Sequence, residues 1–457
     1  MALIKSISGF RGTIGGKAGE NLTPQDIVEC AAAFGWWLLQ QEQPARVVIG
    51  RDARISGAMV NQLVANTLIG LGIDVIDLGL STTPTVEMAV PELQAGAGII
   101  ITASHNPAHW NALKFINHLG EFISAEDGAQ LLKMLEEGAI EYAHVEQLGK
   151  YTLLDGMIDY HIDQILKYDL VDGPAIQKRG FKIVVDCVNS TGAISVPPLL
   201  EKLGCEVILL NGEPNGHFAH NPEPLPENLT ELATAVVSEK ADLGIAVDPD
   251  VDRLAMITEL GQPFGEEYTL VAVADYILHQ RPGNTVSNLS STRALRDVTQ
   301  KHGGTYAASA VGEVNVVQKM KEVKAVIGGE GNGGVIVPDL HYGRDALAGI
   351  ALFLSLLAQQ GKSASQLRAT YPDYAMVKDK INLDANLDLV GLLKKMYLKY
   401  QSEDCNQIDG LKINFAKSWV HLRKSNTEPI IRIYAEAPDV DQATQLVQQI
   451  KQDIEAL

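Results

Sequence analysis

Short apolar runs separated by amphipathic stretches organise this chain. Residues 46–50, 73–78 and 97–101 are rich in Val and Ile, with helical stretches between them. That alternation is expected of a mainly parallel sheet covered by helices. The first helix is predicted to start at Pro24, behind Thr23 as N-cap, and to run to about Gln43. The pattern recurs over residues 182–186, 206–210 and 243–247, and again over 284–287, 305–308 and 325–328. In each set the third strand leads into an unusual loop, which predicts an internally repeated architecture although residue identity between the units is weak. After about Tyr371 apolar and polar residues alternate over 377–383, 411–415 and 430–435, as in partly exposed antiparallel strands, and a helix near Val440–Glu455 closes the chain. The expected fold is α/β. Three similar α/β domains with mixed, mainly parallel sheets cover 1–150, 151–258 and 259–372, and an α+β domain covers 373–457.

The opening Ser8-Gly9-Phe10-Arg11-Gly12-Thr13-Ile14-Gly15-Gly16 reads as a flexible loop with one cation, and carries no dinucleotide or phosphate-loop glycine pattern. Its 457 residues, 46% of them apolar, allow several cores. The net charge of −19 argues against broad binding to nucleic acid or anionic membranes. A local set of Arg and Lys can still hold phosphate. Four dispersed cysteines without Cys-x-x-Cys spacing suggest buried, reduced thiols. No signal peptide or membrane span is visible, so a soluble, cytoplasmic protein is expected.

Three loops carry candidate chemistry. Thr102-Ala103-Ser104-His105-Asn106-Pro107 follows the apolar run 97–101, which puts Ser104 in a turn beyond a buried strand. Alone it reads as an ordinary turn. Asp248-Pro249-Asp250-Val251-Asp252-Arg253 gathers three hard oxygen donors beside a guanidinium, so a divalent cation, Mg²⁺ or Ca²⁺, is the natural resolution of their repulsion. A calcium EF-hand is excluded, because its sixth position would be Arg253 instead of Gly and a strand precedes the loop. Arg423-Lys424-Ser425-Asn426-Thr427-Glu428-Pro429 concentrates donors suited to a phosphate. A fourth loop, Gly328-Gly329-Glu330-Gly331-Asn332-Gly333-Gly334, permits close backbone approach to a ligand, with Glu330 and Asn332 able to meet sugar hydroxyls.

In this order and spacing the four loops resemble the α-D-phosphohexomutase superfamily along essentially the whole chain. The most specific signatures are Thr102–Pro107 with Asn111-Ala112-Leu113-Lys114, the Asp-x-Asp-x-Asp-Arg loop, and Arg-x-Ser-Asn-Thr-Glu-Pro. The resemblance implies four domains around a central cleft, the last related to the TATA-box-binding-protein fold. It implies that Ser104 is the phosphoserine, and that Asp248, Asp250 and Asp252 hold Mg²⁺ together with a phosphoserine oxygen. Arg253 would steady the phosphoryl group, Lys114 act as general acid and base, and Arg11 contact phosphate. His105, beside the serine, joins the candidate catalytic set. Glu330 and Asn332 would face the sugar, and Arg423, Ser425, Asn426 and Thr427 would grip the phosphate that stays put. The expected partner is a phosphosugar, with a hexose 1,6-bisphosphate as intermediate and activator, in a monomer or homodimer.

The sequence also departs from the family pattern. Gly334 stands where a family histidine is usual, and Pro249 where Gly is usual. Val311-Gly312-Glu313 is similar to the Val-Gly-Asp of phosphoglucosamine mutases, and Ser8–Gly12 lacks their Phe-Gly-Thr-Asp-Gly opening. The combination resembles the archaeal-type branch. Glucosamine phosphate is the favoured sugar, with glucose or mannose phosphate as alternative. A more distant alternative comes from the apolar strand before Asp-x-Asp-x-Val, which resembles haloacid-dehalogenase phosphatases with Asp248 as nucleophile. Asp252 has no role in that scheme.

Overall fold

The computed structural model describes residues 3–6, 9–382, 388–424 and 430–456. Four sheets divide them. The first contains β1 (Leu3–Ser6), β2 (Gly9–Thr13), β3 (Arg46–Arg51), β4 (Asp74–Leu80), β5 (Ala97–Ile101), β6 (Trp110–Asn117) and β7 (Tyr151–Leu153). Their order is β1-β2-β6-β5-β3-β4-β7. Strands β5, β3, β4 and β7 are parallel, while β6, β2 and β1 add on antiparallel. The unbroken apolar run of β5 is buried along its whole length, as a central strand covered on both faces requires.

The helix Pro24–Leu39 starts where its sequence predicts, with the Asp26 carboxylate accepting from the Thr23 N–H and hydroxyl. It stops at Leu39 instead of Gln43. The polar Gln40–Gln43 offers no apolar face, and Pro44 bars another turn. Residues 9–13, expected as a flexible loop, are an ordered strand. Phe10 is buried, and Gly9, at φ +126°, lies where a Cβ would come within 2.5 Å of the Leu113 carbonyl oxygen. That glycine serves close strand pairing, not mobility.

The second sheet has β8 (Lys182–Asp186), β9 (Glu206–Leu210), β10 (Leu243–Val247) and β11 (Leu254–Thr258), in the order β11-β10-β8-β9. The third has β12 (Asn284–Asn288), β13 (Tyr306–Ser309), β14 (Ala325–Glu330) and β15 (Gly334–Ile336), in the order β13-β12-β14-β15. These match the β4-β3-β5-β6 portion of the first sheet. In all three, the third strand lies between the first and an antiparallel fourth. The repetition expected from the apolar runs is therefore real at the level of topology. The turn from third to fourth strand spans residues 102–109, 248–253 and 331–333, so one topological position delivers three of the candidate loops.

The fourth sheet is antiparallel throughout: β16 (Ala375–Asn382), β17 (Asp404–Asn406), β18 (Leu411–Asn414), β19 (Trp419–Lys424) and β20 (Ile430–Ala437), in the order β16-β20-β19-β18-β17. Helices Leu389–Lys399 and Val440–Glu455 bury Leu392, Met396, Val447 and Ile450 against Ile413, Val420, Ile431 and Ile433. All four cysteines are free thiols, Cys30, Cys187 and Cys205 buried and Cys405 partly so. Among the described residues no helix is long and apolar enough to cross a membrane.

Candidate active site

Ser104 sits just past β5 with φ +49°, a left-handed conformation that is uncommon for a side chain of its kind. The strain is held locally. The Ser104 N–H donates to Thr102 Oγ1 at 2.9 Å, and the Thr102 hydroxyl donates to Asp52 Oδ2 at 2.7 Å. Asp52 comes from the end of the neighbouring parallel strand β3 and also receives Arg54 Nε at 3.0 Å. The fully buried Arg54 guanidinium then donates to the carbonyls of Ser104, Asn106, Pro107 and Trp110, at 2.5–3.1 Å. One cation thus fixes the whole serine turn. Neither Asp52 nor Arg54 was singled out from sequence, because their link to Ser104 is made across strands.

The Ser104 hydroxyl donates to Asp248 Oδ2 at 2.7 Å. Asp248 Oδ1 accepts from the Asp252 and Arg253 amides, both at 3.1 Å, and Val251 takes φ +62° to close the turn. Pro249 accepts hydroxyls from Ser190 and Thr191 through its carbonyl. Thr83 binds Asp250 twice, N–H to carbonyl at 2.9 Å and hydroxyl to Oδ2 at 2.6 Å, tying the triplet to the first domain. Lys114, from β6, donates to Asp250 Oδ2 at 2.9 Å and lies 3.8 Å from Asp252 Oδ2.

All three aspartates are fully buried. Burial, then Asp252 and Asp250, push Asp248 well above the usual carboxylate range. Burial pushes Asp250 the same way, but Lys114 and the Thr83 hydroxyl outweigh it and hold it low. Burial disfavours the Lys114 charge, and Asp250 and Asp252 more than restore it. Asp250 Oδ1 and Asp252 Oδ1 are buried without a hydrogen-bond partner, and the three carboxylates bring ligand oxygens within 4.8 Å of one another. Orphaned oxygens of hard carboxylates fit a divalent cation. The triplet can therefore hold a metal. His105 lies 3.3 Å from Ser104 Oγ through Nδ1, and burial and Arg253 lower its pKa, so it stays neutral. Arg253 reaches Glu223 Oε1 at 3.2 Å.

Glu330 ends β14. Its Oε1 accepts from Asn288 Nδ2 and the Gly312 amide, and its Oε2 from Arg344 at 2.8 Å. Burial opposes its ionisation, but Arg344 and these donors hold its pKa down. Asn332 Oδ1 accepts from the Gly334 amide at 3.3 Å. The position of the missing family histidine is filled from elsewhere. A Cβ on Gly334 would fall 2.3 Å from Arg344 Cδ, so the arginine side chain crosses the glycine. Glu313, noticed in sequence as part of Val311-Gly312-Glu313, accepts the Arg344 amide at 3.1 Å and lies 3.0 Å from Arg344 Nε.

Arg11 pairs with Ala112 across β2 and β6, which puts it on the face that carries Lys114. Burial and the nearby Arg432 both work against its charge. Arg432 in turn lies directly opposite Arg423 across β19 and β20. Arg423 Nε is 2.8 Å from Asp409 Oδ2, which also accepts the Val311 amide. Ser425, Asn426 and Thr427 lie outside the described residues. Cations from the first and fourth domains therefore approach one another, which calls for an anion.

A second buried cluster joins the first three domains, through helices Thr83–Glu92 and Met157–Lys167 and the segment 341–345. Asp345 Oδ2 faces His161 Nε2 at 2.8 Å and His341 Nε2 at 3.3 Å. The other ring nitrogens face Thr85 Oγ1 at 3.0 Å and Glu87 Oε2 at 3.4 Å.

Known proteins share this four-domain architecture. All four domains of the phosphoglucomutase/phosphomannomutase family match in order: alpha/beta/alpha domain I over residues 4–140, II over 159–261, III over 265–374, and the C-terminal domain over 375–452. A probable phosphoglucosamine mutase of Methanopyrus kandleri is 35% identical over 96% of both chains. A phosphoglucomutase/phosphomannomutase of Thermococcus kodakarensis is 34% identical, again over 96% of each. A phosphoglucosamine/phosphogalactosamine mutase of Sulfurisphaera tokodaii is 32% identical over the full length of both. A crystal structure of a phosphoglucomutase/phosphomannomutase family protein from Burkholderia thailandensis superposes with a TM-score of 0.87 at 26% identity, covering 99% of this chain and 97% of that one.

Proposed function

Because the chain belongs to the phosphoglucomutase/phosphomannomutase family, and is a phosphohexomutase, we propose that Ser104 carries the phosphoryl group between the 6- and 1-positions of a hexosamine phosphate, with glucosamine phosphate favoured. The observation that carries this reading is the Ser104 hydroxyl, held by a strained turn 2.7 Å from Asp248 Oδ2 of the carboxylate triplet. Two of the relatives above are named for glucosamine phosphate, which favours that sugar over glucose or mannose phosphate. The family assignment also displaces the phosphatase alternative built on Asp248.

Phosphoryl transfer depends on positioning and charge neutralisation more than on covalent chemistry. Asp248, Asp250 and Asp252 would hold Mg²⁺, which supplies neutralisation of phosphoryl oxygens when bound. Arg253 steadies the same oxygens. In the first half-reaction a sugar hydroxyl attacks the phosphoserine, a new O–P bond forms, and the bond to Ser104 Oγ breaks. The Lys114 ammonium relays the proton: it gives one to the departing Ser104 Oγ and takes the sugar hydroxyl's in its place, and the same exchange runs in reverse when the other phosphate passes back to Ser104. Between the halves the 1,6-bisphosphate turns over in the cleft. Arg11, Arg423 and Arg432 supply the cationic surface for the phosphate that is not transferring.

The test is turnover of glucosamine, glucose and mannose phosphates with the matching 1,6-bisphosphate as primer. Ser104→Ala is expected to lose on the order of a thousandfold in kcat or more, with KM little changed. Wild-type rates in that variant would overturn the serine's role. Equal or better kcat/KM for glucose or mannose phosphate would overturn the sugar assignment alone.

A further inference from the structure

We propose that Arg344 is a positioning residue with two coupled tasks: it is the built-in counter-ion of the carboxylate triplet, and its fork holds the sugar-facing Glu330 in register with the metal-binding loop. The inference rests on the mutase reading for its second task only. The guanidinium donates to Asp252 Oδ2 at 2.6 Å with Nη2 and to Glu330 Oε2 at 2.8 Å with Nη1. Its Nε lies 3.0 Å from Glu313 Oε2, and its own amide donates to Glu313 Oε1 at 3.1 Å. The residue is 8% exposed, so these charges meet out of water, where an unmatched carboxylate is costly.

Three features make this more than a structural salt bridge. First, the fork joins a carboxylate of the second domain to one of the third, adding a charged link to the backbone bonds from the Leu254 amide to the Gly333 carbonyl and from the Ala346 amide to the Val251 carbonyl, both 3.2 Å. Second, Arg344 takes only Oδ2 of Asp252 and leaves Oδ1 buried without a hydrogen-bond partner, 4.0 Å from Arg253 Nε, so that oxygen stays available to a cation. Third, space has been kept for it. A Cβ at Gly334 would lie 2.3 Å from Arg344 Cδ and 3.0 Å from Cγ, so any other residue there displaces the arginine. An antiparallel bridge between Ile336 and Arg344 returns the chain to that point.

A counter-ion competes with the cation that the triplet binds. Removing it therefore strengthens metal binding, whereas mere damage to the fold weakens it. Charge and fork separate in two variants of the full-length protein, with Mn²⁺ binding followed by paramagnetic resonance or calorimetry and turnover followed with glucosamine phosphate. Arg344→Gln is expected to bind Mn²⁺ about threefold or more tighter than wild type while kcat/KM falls about tenfold or more. Arg344→Lys, which keeps the charge but cannot bridge two carboxylates, is expected to return Mn²⁺ affinity to within about twofold of wild type and to leave kcat/KM depressed. Unchanged or weaker Mn²⁺ binding in the Gln variant would overturn the counter-ion role. Full turnover in the Lys variant would overturn the role of the fork. A wild-type protein that binds Mn²⁺ yet interconverts no sugar phosphate would sink the mutase reading and leave the Mn²⁺ comparison standing.

Discussion

At the scale of single residues, Gly334 shows how one missing side chain is answered by another far along the chain. Gly334→Ala is expected to push Arg344 off its line, because the new Cβ would fall 2.3 Å from Cδ. A loss of roughly tenfold in kcat/KM is the expected size, that of one charge-assisted hydrogen bond. In an Arg344→Ala background the same change should cost almost nothing further. Additive losses in that double-mutant cycle would show that the glycine is there for another reason. Ser104 and the three aspartates were legible in the sequence because their chemistry lies in contiguous stretches. Asp52, Arg54, Arg344 and Arg432 were not, since each matters through a contact between strands or domains. Glu313 was noticed as a mark of sugar preference. In the structure it also holds Arg344 by amide and guanidinium.

At the scale of elements, the unbroken apolar runs predicted the central strands well, because a strand covered on both faces leaves no ambiguity about which residues are buried. Edge elements were harder. Strand β2 hid behind glycines that permit its close pairing. Helix Leu389–Lys399 and strand β19 were not predicted, although Leu389, Leu392, Leu393, Met396 and Tyr397 recur at helical spacing and pack on the sheet. Strand β19 matters most for chemistry, since it sets Arg423 directly against Arg432 of β20. Like charges facing each other across a ladder are unfavourable without an anion between them. Inorganic phosphate should therefore raise the melting temperature of the wild-type protein. Arg432→Ala should remove most of that rise and raise KM for the sugar phosphate about tenfold. Among the described residues Arg432 has no ion pair, so a variant that keeps the full phosphate effect would exclude it from the site.

At the scale of the whole molecule, one apolar core runs through the second and third domains, and polar and charged groups tie the first domain to them. The cluster of Glu87, His161, His341 and Asp345 is the clearest case. Burial raises Glu87 to about 8. Burial opposes the His341 charge, but Asp345 and Glu87 overcome it and raise His341 to about 10. Both groups bind protons more tightly in the folded state, so their contributions have the same sign. For His341 the stabilisation is complete below the ordinary histidine value near 6.5 and is lost as pH rises toward 10. Urea unfolding should accordingly show a fall on the order of a few kcal/mol between pH 7 and 9.5, and His341→Gln should flatten it. A variant as pH-dependent as wild type would place the titration elsewhere. The strand order of the first sheet also bears on how the molecule is made. Strand β2 pairs with β6, so Arg11 leaves the ribosome long before its partner strand exists, and the serine turn closes on Arg54 only once residues 110–117 have followed. Arg344 emerges later still, roughly 10–50 s after Ser104 at ~5–20 residues per second. A growing chain thus displays a finished serine turn with Lys114 beside it but without the carboxylate triplet, Arg253 or Arg344, and chemical competence arrives only when translation has passed the third domain.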